Sequence, residues 1–102
     1  MGIPFRLNEQ AYEEYIEAYE WYEKKQPGLG GQFMNSVEKR LEQISEHPEY
    51  FGKRNNNRFR EAKVENFPYM IVYEILKQKG LIHIAAIYHS SRGQSGKYRR
   101  ML

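Results

Sequence analysis

The hydrophobic period of this chain changes at Asn55-Asn56-Asn57, from the three- and four-residue steps of helices to the alternation of strands. That change divides the chain into a helical part and a sheet part, and it limits the fold more than any short motif does. Before it, Ile3 to Leu7 reads as a short strand and Asn8 as the N-cap of a helix from about Glu9 to Gln26. Tyr12, Tyr15, Ile16, Tyr19 and Tyr22 form its apolar stripe with Ala11 and Ala18 alongside, while Glu13, Glu14, Glu17, Glu20 and Glu23 are mostly directed to solvent. Trp21 lies at the margin of the stripe, where packing against a neighbour is its expected use. Pro27-Gly28-Leu29-Gly30-Gly31 breaks this helix and leads into a second, whose buried face repeats Phe33, Val37, Leu41 and Ile44. Pro48 biases His47 away from helical dihedrals, so the second helix is expected to stop near Glu46. Gly30 and Gly31 lack the spacing of a phosphate-binding loop and read as a tight turn.

From Arg58 the period is two. Arg58 to Val64, a strand opened by Pro68, and Leu81 onwards after the turn Gln78-Lys79-Gly80 predict three antiparallel strands. Tyr69, Ile71, Tyr73 and Ile75 share one face, Met70, Val72 and Leu76 the other; Ile82, Ile84 and Ala86 alternate with Leu81, Ala85 and Ile87. The fold class is therefore α+β, in the order β-α-α-β-β-β, with a helical hairpin packed on a small, mainly antiparallel sheet. The hairpin covers one face only. The other is expected to stay apolar and aromatic, displaying Tyr69 and Tyr73 to a partner.

At 102 residues the chain has the length of one domain. It contains no Cys, which removes disulfides, thiolate nucleophiles and sulfur-ligated zinc and suits a reducing cytoplasm. No stretch reaches the ~20 apolar residues of a membrane span, and Met1 to Leu7 lacks the apolar core of a signal peptide. Residues 1–50 carry five Lys or Arg against ten Glu, a net −5, whereas residues 51–102 carry eleven against three, a net +8. A basic C-terminal half attracts phosphate or an acidic protein, or forms a solvated charged face. His47 and His83 have no partner at metal-ligand spacing, and the chain has no Asp, so no metal site and no cofactor are expected.

Trp21-Tyr22-Glu23 with Gly28-Leu29-Gly30 and Phe33, Pro48, Phe67-Pro68-Tyr69 with Ile71 and Tyr73, then Ile84-Ala85-Ala86-Ile87-Tyr88-His89 and Arg92 form an ordered series. In order and spacing the series resembles the RelE/ParE toxin superfamily, closest to its ParE-like branch. The resemblance covers nearly the whole chain. It implies the toxin of a bacterial type II toxin–antitoxin module, of the plasmid-stabilisation kind, and an antitoxin whose C-terminal segment folds upon it. It leaves the target open, because RelE-like members cut messenger RNA on the ribosome and ParE-like members inhibit DNA gyrase. A family member that has lost toxicity is a third reading.

Metal-free RNA cleavage needs a base for the 2′-hydroxyl, a cation for the phosphorane and an acid for the leaving oxygen. His89, Arg92 and Tyr98 are the candidates if the chain is RelE-like; Tyr98 lies six residues after Arg92, as the resemblance requires. Against this, Glu65 occupies the place, four residues before Tyr69, where the RelE-like pattern carries a basic residue. The Pro that often follows the terminal Arg is also missing, since Gly93 follows Arg92. Arg60, Tyr69, Tyr73, Arg92, Lys97, Arg99 and Arg100 are the candidates for binding a target or an acidic antitoxin segment. Each has a bland alternative. His89 is equally a strand-end His bonded to backbone, and Arg60, sharing a face with Ala62 and Val64, equally a half-buried ion-pair partner of a helix Glu.

Overall fold

The computed structural model describes residues 2–53 and 58–92. Strand β1 (Phe5–Leu7) leads into helix α1 (Glu9–Lys25), then α2 (Leu29–Glu46), and strands β2 (Arg60–Lys63), β3 (Tyr69–Leu76) and β4 (Leu81–His89). Asn8 caps α1 as its side chain predicts: Oδ1 accepts the Ala11 N–H at 2.7 Å. The helix ends with Lys24 and Lys25, whose charge suits the negative end of its dipole. Helix α2 starts after Gly28, which sits at φ +91°, a conformation that strains any residue with a Cβ. It has no side-chain cap of its own. Glu23, near the end of α1, supplies the acceptor instead, taking the Gly28 N–H at 3.0 Å and the Gly30 N–H at 2.9 Å. A carboxylate of the chain itself thus fills the place where a phosphate cradle was considered.

The sheet runs in the order β1-β4-β3-β2, with β1 parallel to β4 and the other pairs antiparallel. The turn between β2 and β3 passes through Asn66 in the left-handed region, at φ +69°, which Asn tolerates better than most residues. Both helices lie on one face. The core between them and the sheet takes Ala11, Tyr15 and Ala18 from α1, Phe33, Val37, Leu41 and Ile44 from α2, and Tyr69, Ile71, Tyr73, Ile82, Ile84 and Ile87 from the sheet. The stripe on α1 is therefore rotated toward the alanines that were placed alongside it: Ala11 and Ala18 are buried while Tyr12 stays 57% exposed.

Two corrections follow from the sheet. Tyr69 and Tyr73 are not displayed to a partner, because they lie under the helices at 7% and 0% exposure. Strict alternation also fails in β4. Val72 is opposite Ala86 but Tyr73 is opposite Ile84, so Ala85 is an extra residue, a bulge. Past it the phase inverts. Ile84 and Ile87 both face the helices, whereas Ala85 and Ala86 join Val72, Phe59 and Tyr88 in a second, smaller cluster on the reverse face.

Candidate functional site

The series Tyr22, Phe33, Phe67, Tyr69 packs as one aromatic cluster, with ring centroids 5.0–6.2 Å apart and mostly edge-to-face contacts. Gly30 belongs to the same packing: a Cβ there would come within 2.8 Å of the Tyr19 ring and of Glu23 Oε1. Tyr22, Gly30, Phe33, Phe67 and Tyr69, which carry part of the family likeness, are thus packing residues. They position the site more than they form it.

His89 ends β4, opposite Tyr69, with the two rings edge to face at 5.2 Å. Its Nδ1 accepts the Ser91 N–H at 3.1 Å and lies 2.7 Å from Ser91 Oγ. Accepting the backbone N–H places the Nδ1 lone pair on Ser91 and leaves Nε2 as the nitrogen not held by this contact. His89 opens on a groove of about 350 Å³ lined by Glu14, Glu17, Ala18 and Trp21 of α1 with Tyr69 and Ile87 of the sheet. Glu14 was read as a solvent-facing residue. In the fold it turns inward, and Oε1 accepts the Ile87 N–H at 2.9 Å.

Arg60 lies on β2, opposite Tyr73, and its Nη1 donates to the carbonyls of Phe51 at 2.7 Å and Glu49 at 3.2 Å. The half-buried structural role is as read from the sequence, but the partners are loop carbonyls and not a helix Glu. Tyr73 completes this clamp by donating its hydroxyl to the Pro48 carbonyl at 2.7 Å. Burial pushes the Tyr73 phenol up to about 12, against a smaller lowering by the Arg60 charge, so it keeps its proton. Together Arg60 and Tyr73 fasten the segment after α2 to the sheet.

His89 and Arg60 do not converge. They are paired to β3 residues four positions apart and stand on strands either side of it, which places them roughly 13 Å apart along the sheet and about 10 Å across it. Arg92 closes the short 3-10 turn Ser90–Arg92. Lys97, Tyr98, Arg99 and Arg100 lie outside the described residues.

The reverse face holds a polar group that the sequence reading passed over. Glu74, only 7% exposed, accepts from Arg58 Nε at 3.0 Å and pairs with His83 Nδ1 at 2.8 Å. Burial pushes its carboxyl up, but the hydrogen bonds from Arg58 and His83 and their charges outweigh burial and hold it below the ordinary value of 4.5. Glu61 sits on the same face and accepts the Tyr88 hydroxyl at 2.6 Å. The hairpin register that sets Glu74 opposite His83 was the available signal, since it follows from the turn at Gln78-Lys79-Gly80. Among the described residues no three His, Cys, Asp or Glu side chains gather to hold a metal, and no helix is long and apolar enough to cross a membrane.

A helical hairpin on one face of a β1-β4-β3-β2 sheet is an architecture that solved structures share. The chain aligns with the chromosomal ParDE system of P. aeruginosa at TM-score 0.73 and 12% identity, over 85% of this chain and 95% of that one. It aligns with a double arginine-to-alanine mutant of the E. coli toxin RelE in the free state at 0.73 and 19% identity, over all of both chains. A second structure of isolated E. coli RelE gives 0.66 and 18%, over 98% and 99%. No curated protein sequence matches it significantly. The model of the ParE toxin of the type II toxin–antitoxin system parDE matches residues 5–93, and the chain belongs to that family. That kinship implies an antitoxin partner.

Proposed function

We propose that this member of the family acts in the cytoplasm by binding DNA gyrase and inhibiting it, as the ParE-like resemblance implies, and is held in check by an antitoxin. The observation that carries this reading is the disposition of the cations and carboxylates of the sheet. Cleavage of RNA needs a cation beside the scissile phosphate together with an acid and a base. Arg60 is engaged by two carbonyls, Arg58 and His83 are engaged by Glu74, and His89 lies beside Glu14 and Glu17, roughly 13 Å along the sheet and about 10 Å across it from Arg60. Exposed Glu65, in the turn before β3, adds a charge that repels phosphate. Inhibition by docking needs no such convergence.

The spacing of Arg92 and Tyr98 favours a second reading, metal-independent cleavage of ribosome-bound message. One pair of assays separates the two. The purified chain is added to a gyrase supercoiling reaction and, separately, to translating ribosomes whose message is followed by primer extension. Loss of supercoiling with intact message is the expected result, together with reduced inhibition by Arg92→Ala. Cleaved message with normal supercoiling overturns it, and loss of that cleavage in Tyr98→Phe would assign the acid. No effect in either assay identifies a member without toxicity.

A further inference from the structure

Strand β4 outruns its neighbour. β1 stops at Leu7, in register with Ile84, so residues 85–89 have β3 on one side and no strand on the other among the described residues. A strand edge of this kind presents N–H and C=O groups to any extended chain that arrives. Here a side chain meets it: the Ile87 N–H points outward and is taken by Glu14 Oε1. A carboxylate oxygen occupies the place of the carbonyl that an added strand would bring.

The surface beside this edge has a definite chemistry. Ala18, Trp21, Tyr69 and Ile87 give it an apolar floor, and Glu14 and Glu17 an acidic rim. Trp21 is 55% exposed, and Lys25 already places its Nζ 4.8 Å from the centre of the indole, so the ring accepts a cation from its own chain. The acidic character continues along α1, where Glu13, Glu17 and Glu20 flank the exposed Tyr12.

We propose that this edge is a strand-addition site for an extended basic segment of a partner protein. The segment pairs with β4 at Ile87–His89 and takes the Ile87 N–H in place of Glu14. It seats an apolar side chain against Ala18 and Trp21, and it sets Lys or Arg beside Glu14 and Glu17. Backbone pairing supplies affinity and the rim supplies selection by charge. The site goes beyond the toxin reading and does not depend on what the toxin acts upon.

Trp21 is the sole tryptophan of the chain, so its emission reports on the groove directly. The full chain is titrated with a short synthetic peptide of alternating Val and Lys, with its Val and Glu counterpart, and with a Val and Lys peptide N-methylated along its pairing edge. Expected are a Trp21 emission shift with the first peptide, binding at least roughly fivefold weaker for the acidic one, and none for the methylated one. Glu17→Gln, an exposed change that leaves folding intact, narrows the difference between the first two peptides. Amide NMR of the first complex perturbs Ile87 and His89. Equal binding of acidic and basic peptides, binding of the methylated peptide, perturbation confined to residues away from β4, or no Trp21 response at peptide saturation would overturn the proposal.

Discussion

Beneath the helices the sheet presents Tyr69, Ile71, Tyr73, Ile82, Ile84 and Ile87, large side chains that interlock with Phe33, Val37, Leu41 and Ile44. On the reverse it presents Met70, Val72, two alanines, Phe59 and Tyr88, arranged beside a nearly buried carboxylate, Glu74. The first face is held by apolar area and by a single clamp at its rim. The second is shallow, and its order depends on ion pairs and hydrogen bonds: Arg58 and His83 on Glu74, and Tyr88 on Glu61. Burial energy scales with side-chain size, whereas polar groups hold only as long as each keeps its partner. The two faces of one sheet should therefore fail in different ways.

Tyr73→Ala tests the inner face most severely. It removes a fully buried ring and the hydroxyl that holds Pro48, and chemical denaturation should show a loss of about 3–5 kcal/mol. Tyr73→Phe, which keeps the ring, should cost about 1 kcal/mol. Near-equal losses for the two substitutions would mean that the clamp and not the ring dominates.

On the reverse face Glu74→Ala should cost about 1–3 kcal/mol, because it strips Arg58 and His83 of their acceptor. The same residue predicts a pH response of fixed sign. Its carboxyl is depressed in the folded state, so its contribution is complete above the unfolded value of 4.5 and disappears as pH falls through the depressed one. Denaturation midpoints followed downward from neutral pH should fall more steeply in the parent than in Glu74→Gln. Parallel curves would remove Glu74 from the account. The smallest effect belongs to Tyr88→Phe, about 0.5–1.5 kcal/mol, since Glu61 loses one hydrogen bond and the ring stays in place.

The contrast also explains what the sequence could reveal. Helix boundaries were legible because Asn8, Pro27 and Pro48 act locally, through a cap or a fixed dihedral. The burial of α2 followed from spacing alone. Which sheet face the helices would choose was not local, and Tyr69 and Tyr73 were assigned to the wrong one because alternation defines two faces without saying which is covered. Half-burial was one of two readings weighed for Arg60, beside target binding, and its carbonyl partners come from a loop whose path no periodicity encodes. Glu14 looked like its neighbours on α1 until the end of β1 left Ile87 with β3 on one side and no strand on the other among the described residues. Aromatic spacing carried the family likeness because it encodes packing, and for that reason it says little about the target.

The extra residue at Ala85 has a consequence for how such a chain diversifies. Loss of that one codon would restore plain alternation and leave Ala86 to His89 on the faces they hold, because Ala86 already stands opposite Val72 and Ile84 opposite Tyr73. Ile87 would stay in the core, Tyr88 on the reverse face and His89 beside the acidic groove. The bulge is thus a point at which β4 can shorten by one residue without exchanging the chemistry of its two surfaces, whereas a deletion anywhere in its regular part would turn every residue beyond it over.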